Sequence, residues 1–226
     1  MWKFDIKTYN NFHPIAAANA RFDKQLSYSG ITRAELFSEL SELFLEGVNA
    51  GQYAPCLIHR HYCLNEGERM VTSSNSTRPS RDRSLNIVAE RWLKTGEEFE
   101  YRFTDNPASL APPPSIAFMA RFKSIVEENG IDVLGVCYAP TPSELAPGFV
   151  YSETVGQGDR EQVLNIVHQS SLQGEKTYQT SWVPTLNPQD QSFTMSCTHN
   201  CVGCLDNQDD IGQNFEIQRG AKFESF

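Results

Sequence analysis

The chain has 226 residues, 39% of them hydrophobic and 21% charged, with 14 Phe and 8 Tyr; a domain of this length hides roughly 70% of its unfolded surface and folds without staples. Charges are too sparse for general disorder. The 28 Asp and Glu against 19 Lys and Arg give a net charge of -9, which repels polyanions, so nucleic acid and anionic membrane surfaces are excluded as general partners.

In chain order, residues 1–7 mix polar and aromatic side chains where a secretory leader has a basic stub and an apolar run. No stretch of about 18 apolar residues follows that could span a bilayer. A cytoplasmic location is therefore expected, where thiols stay reduced, and this moves the six cysteines from disulfides towards metal ligation, catalysis or core packing.

Residues 32–48 predict a helix, opened by the capping box Thr32 and Glu35, with Leu36, Phe37, Leu40, Leu43 and Phe44 on one face. Residues 53–64 and 68–73 read as strands joined by the turn Asn65-Glu66-Gly67. Residues 73–84 are almost free of apolar side chains and predict a mobile loop. Residues 85–94 read as a short third helix closed by Gly96, and Phe99, Tyr101 and Phe103 alternate as in a half-buried strand.

A helix over 115–129 follows three prolines and stops at Gly130; residues 131–138 then form a buried strand. Beyond Pro140, short β-prone runs at 149–155, 162–169, 177–183 and 192–197 read as an antiparallel meander, and 205–226 as a loosely structured tail. Strands and helices mix without regular alternation. The expected fold is one α+β domain over residues 1–226, a mostly antiparallel sheet flanked by two or three helices.

Two clusters carry chemistry. Cys197, His199, Cys201 and Cys204 crowd into eight residues, and thiolates so close on a polar segment suit a soft cation. Their C-x3-C-x2-C spacing matches the iron–sulfur ligation of radical S-adenosylmethionine enzymes, but that family's barrel needs far more chain after the motif. Zinc fits the spacing equally, with a fourth ligand from His199, Asp206 or a distant side chain. Unligated cysteines beside a strand are the plain alternative.

In the second cluster, period two on a strand sends His59, His61 and Cys63 to one face, a bite that two imidazoles can close on one ion. The run His59-x-His61-x4-Glu66 resembles the first metal motif of the cupins, in which histidines and a glutamate hold a divalent metal inside a β-barrel. It departs from that pattern at Gly51, two residues too early, and in lacking a later segment to supply the third histidine. Glu66, Glu68 and Glu153 are candidates for general base or supporting work. A single ion shared between the two clusters would join the halves of the chain. Cys137 lies in a core-strand pattern and reads as inert.

The segment 57–61 followed by Gly67-Glu68, then Ser152-Glu153-Thr154 and the C-terminal cysteines, resembles a group of small uncharacterised fungal proteins. That resemblance implies a soluble intracellular protein and supplies no activity. The residues themselves predict a protein that binds zinc or another divalent metal and acts on a small polar substrate as a metal-dependent hydrolase, lyase or oxygenase. The alternative is a non-enzymatic module that recruits a protein partner and in which zinc, if present, is structural.

Overall fold

The computed structural model describes residues 4–141, 144–155, 160–186 and 193–202. Ten strands close into a barrel in the order β1-β6-β4-β5-β2-β3-β8-β7-β10-β9. They are β1 Tyr53–Leu57, β2 Arg69–Ser73, β3 Ser76–Ser80, β4 Ile87–Leu93, β5 Glu98–Phe103, β6 Leu134–Tyr138, β7 Phe149–Val155, β8 Gln162–His168, β9 Thr177–Leu186 and β10 Phe193–Val202. Most neighbours are antiparallel, but β2 with β5 and β10 with β7 run parallel. Among the described residues, four α-helices accompany them: α1 Ile6–Asn11, α2 Ile15–Ser29, α3 Arg33–Phe44 and α4 Ile116–Glu128.

This architecture overturns the expected α+β sheet flanked by helices: the sheet closes on itself, which removes its edges. Closure cannot be read from strand spacing, because it depends on pairings such as β4 with β6 and β3 with β8 that join distant segments. Two local expectations change with it. Residues 85–94 hold β4, not a helix; hydrogen bonding to β5 and β6 on its two sides overrides a helix-compatible apolar spacing. Within 73–84, β3 pairs with β2 and β8, so this polar stretch is not a plain loop.

The helix expected over 32–48 forms as α3, with its capping box: Thr32 Oγ1 accepts from the Glu35 amide at 3.2 Å, and the Glu35 carboxylate accepts from the Thr32 amide at 2.7 Å. Ser115 caps α4 in the same way, accepting from the Phe118 amide. The tail 205–226 lies outside the described residues.

Burial divides the apolar side chains into two cores. One lies beneath α2, α3 and α4, where Phe22, Leu40, Phe44 and Phe122 meet Tyr53, Leu57, Trp92, Val136 and Trp182 of the strands. The other gathers Ala54, Cys56, Ile58, Leu93 and Cys137 around Tyr9 of α1. Period two explains the division: on β1, Tyr53 and Leu57 join the first core while Ala54 and Cys56 join the second. Gly135 lets strands and core approach, since a Cβ there would lie 2.4 Å from the Trp92 carbonyl and 2.5 Å from Ile58.

Candidate metal centre in the barrel interior

Two bulged pairings set up the interior. Between β4 and β5, Ala89 faces Tyr101, Arg91 faces Glu100 and Trp92 faces Glu98, so Glu90 and Phe99 are extra residues. Between β10 and β9, Cys197 faces Trp182 and His199 faces Ser181, leaving Thr198 as the extra residue. A bulge turns successive side chains off strict alternation and re-aims them. The consequence is that Glu90 and Arg91 both line one polar cavity, joined by Glu100, Glu153, Gln162 and His199 from strands all around the barrel.

At the centre is Arg91. Its guanidinium lies 3.4 Å from Glu100 Oε2 and 3.1 Å from Glu153 Oε1, with all three side chains nearly withdrawn from water. Glu100 Oε1 accepts from the Tyr9 hydroxyl at 3.2 Å and lies 3.4 Å from His61 Nε2. Gln162 Nε2 stands 2.9 Å from His61 Nδ1 and 3.2 Å from Glu153 Oε2. One tautomer satisfies every contact of His61: Nε2–H donates to Glu100 and Nδ1 accepts from Gln162.

His59 differs from its neighbour. Its Nδ1 lies 2.8 Å from the Leu57 carbonyl, which can only accept, so Nδ1 carries the proton. The other nitrogen, Nε2, then holds a lone pair, and it is buried without any hydrogen-bond partner. The two imidazoles meet edge to face with centroids 4.5 Å apart. Ligand atoms of His59, His61 and Glu153 all lie within 4.8 Å of one another, which makes these three a candidate set for one ion.

Burial governs the protonation of this cluster. Desolvation, then the Arg91 charge, takes His59 down to about 3. His61 is held well below its ordinary value by desolvation, then by His59 and Arg91. Both imidazoles are therefore neutral, the form that ligates metal. Desolvation pushes Glu100 up to about 7 against the opposing pull of Arg91, and raises Glu153 for the same reason. His199 is taken down to about 3, again by desolvation first.

The polar cavity continues outward. A space of about 350 Å³ shares Thr72, Glu90, Tyr138, Leu164 and His199 with the inner one and adds Arg102 and Tyr151. Tyr151 stacks on His199 with centroids 4.6 Å apart, and Arg102 lies 3.3 Å from Glu90.

The residues singled out from sequence fall in different places. His59 and His61 come together, though β1 ends at Leu57 and both lie just beyond it. Glu66 is exposed, and Glu68 is tied to Arg160 at 2.9 Å and to the Asn65 amide, so neither joins the histidines. The carboxylates beside the imidazoles are Glu153, grouped with both, and Glu100, 3.4 Å from His61 Nε2. His199 lines both cavities, while Cys197 is a free thiol packed against the helix-covered core and Cys201 is disulfide-bonded. Cys204 and Asp206 lie outside the described residues.

Tyr9, Arg91, Glu100 and Gln162 were not foreseen. A signal existed for one of them: Arg91 stands beside Glu90 in the otherwise apolar run Ile87–Leu93, where a charge marks a polar interior, whereas Glu100 sits on the polar side of the alternating β5 and gives no such signal. Comparison with known proteins adds nothing to the geometry, since no family model, curated protein or solved structure matches this chain. No helix among the described residues is long and apolar enough to cross a membrane.

Proposed function

We propose that the barrel interior binds one zinc or similar divalent ion through His59 Nε2, His61 and Glu153, and that the protein acts there as a metal-dependent enzyme on a small polar molecule. The observation that carries this reading is the buried, unpartnered lone pair of His59 Nε2. A buried polar atom without a partner costs about 1–3 kcal/mol, so a fold that leaves one on a residue grouped with a second imidazole and a carboxylate is explained by an electrophile that takes it. The Nδ1–H to Leu57 contact supports the reading, because metal-bound imidazoles commonly donate their second nitrogen to a carbonyl.

The Gln162 amide now stands between His61 Nδ1 and Glu153 Oε2 as a donor to both, so an ion would displace it from at least one. With three protein ligands, a position stays open for water or substrate, as catalytic sites require. Arg91 would orient Glu153. Glu100, titrating near neutrality beside Tyr9 and His61, would hold or release the proton. The outer cavity, lined by Arg102, Tyr151 and His199, would admit the substrate.

Elemental mass spectrometry of the purified protein, after dialysis with and without added zinc, tests the proposal. About one ion per chain is expected in the wild type and none in His59→Ala or Glu153→Gln. Full metal content in His59→Ala, or a folded wild type that takes up no divalent ion, would overturn it.

A further inference from the structure

A second reactive group faces the same interior and stands apart from the metal reading. Cys137 lies opposite Ala54 across the β1–β6 pairing and Cys56 lies opposite Gly135, so the two cysteines are diagonal neighbours. Both are free, both belong to the core around Tyr9, and the register puts their side chains on the same face of the sheet. Cys137 lines the polar cavity, whereas Cys56 is fully buried and does not line it.

The surroundings of Cys137 are not those of an inert core thiol. Ser181 Oγ is 3.3 Å from its sulfur, Thr198 Oγ1 donates to Ser181 at 3.3 Å, and His199 Nδ1 is 3.2 Å from Thr198 Oγ1. With Thr198 donating to Ser181, His199 Nδ1–H donates to Thr198, and with the Cys137 S–H directed at the Ala54 carbonyl 3.5 Å away, the Ser181 hydroxyl can donate to the sulfur. Hydrogen bonds delivered to sulfur favour its anionic, nucleophilic form, and Arg91 shares the cavity. The chain starts at His199, which also lines the outer cavity.

Size sets the reagent. The inner cavity measures about 40 Å³, against roughly 10–15 Å³ needed by one water on the same scale. It admits a molecule the size of one to three waters. We propose that Cys137 and Cys56 form a peroxide-reactive dithiol, with Cys137 the sulfur oxidised first and Cys56 the thiol that resolves it.

The chemistry balances with hydrogen peroxide as oxidant. Cys137 sulfur attacks one peroxide oxygen, the O–O bond breaks, and the departing oxygen leaves as water with the thiol proton; sulfur loses two electrons and becomes a sulfenic acid. Cys56 sulfur then attacks Cys137 sulfur, the S–S bond forms, and the S–O bond breaks as a second water carries off the Cys56 proton. Diagonal cross-strand Cα atoms lie roughly 7–8 Å apart, and disulfides span up to about 6.8 Å. Closing the bridge therefore draws β1 and β6 together by up to about an ångström.

The test uses full-length protein stripped of metal by chelation, so that its outcome is independent of the metal reading. The protein is exposed to hydrogen peroxide, quenched, blocked with iodoacetamide in denaturant and mapped by peptide mass spectrometry. A Cys56–Cys137 cross-link is expected at a rate at least about tenfold above oxidation of Cys197, a half-buried thiol that lines neither cavity. In Cys56→Ser, Cys137 should instead stop at a sulfenic acid that dimedone captures after unfolding, and Ser181→Ala should slow the first step on the order of threefold. N-ethylmaleimide, too large for the cavity, should label exposed Cys63 and spare Cys137. The inference is overturned if Cys56 and Cys137 stay reduced, if they oxidise no faster than Cys197, or if N-ethylmaleimide labels Cys137 as fast as Cys63.

Discussion

At the scale of single residues, the cluster's chemistry follows from neutral imidazoles and a strained charge balance. His59 and His199 titrate at about 3 and His61 well below the usual 6.5. A folded pKa below the unfolded one means the unfolded chain binds the extra proton, so stability is full above pH 6.5 and is lost as pH falls towards 3. Glu100, at about 7, and the raised Glu153 act oppositely, favouring the fold below the ordinary carboxylate range and losing that contribution as pH rises. Three lowered imidazoles outweigh two raised carboxylates, so between pH 6.5 and 4.5 the unfolded chain takes up more protons than the folded one and stability falls with pH. Urea midpoints should therefore fall steadily across that window; a flat or rising series would contradict the neutral-histidine cluster. Arg91→Met should cost about 3–5 kcal/mol by leaving two buried carboxylates unpaired. Its deficit against the wild type should shrink towards pH 5 as those carboxylates protonate, which urea unfolding at two pH values would show.

At the scale of elements, the bulges in β4 with β5 and in β10 with β9 decide which side chains share the interior. Without the bulge at Glu90, strict alternation would send only one of Glu90 and Arg91 inward. The close approach of β6 to β4 is equally specific. Gly135→Ala places a methyl against the Trp92 carbonyl and Ile58, and neither backbone nor a packed side chain yields cheaply. A loss of about 1–3 kcal/mol is expected, which thermal unfolding should register as a fall of roughly 2–12 °C. An unchanged midpoint would show that the strands separate freely. The capping box of α3 and the glycine stop of α4 at Gly130, which takes a positive φ of 66°, were legible because those signals are local in sequence. Strand β4 was not, since Ile87, Val88 and Trp92 fit either period and only the flanking strands choose between them.

At the scale of the whole molecule, closure depends on contacts between remote segments. The seam between β1 and β9 carries the pairing of Cys56 with Ser181, and β4 must find β6 across α4. Loop closure is paid before such pairings reward it, so refolding should be slow, with its main phase on the order of a second or longer in stopped-flow fluorescence. A dominant sub-millisecond phase would contradict a barrel assembled from non-local pairs. The amino-acid sequence by itself determined the helix caps, the positions of most strands and the pairing of His59 with His61, because each rests on residues a few positions apart. Only the tertiary structure decided that the sheet closes, that Glu153 rather than Glu66 or Glu68 meets the imidazoles, and that Arg91, Glu100 and Gln162 surround them. Those side chains converge from strands distant in the chain, and neither period nor spacing encodes which strand becomes whose neighbour.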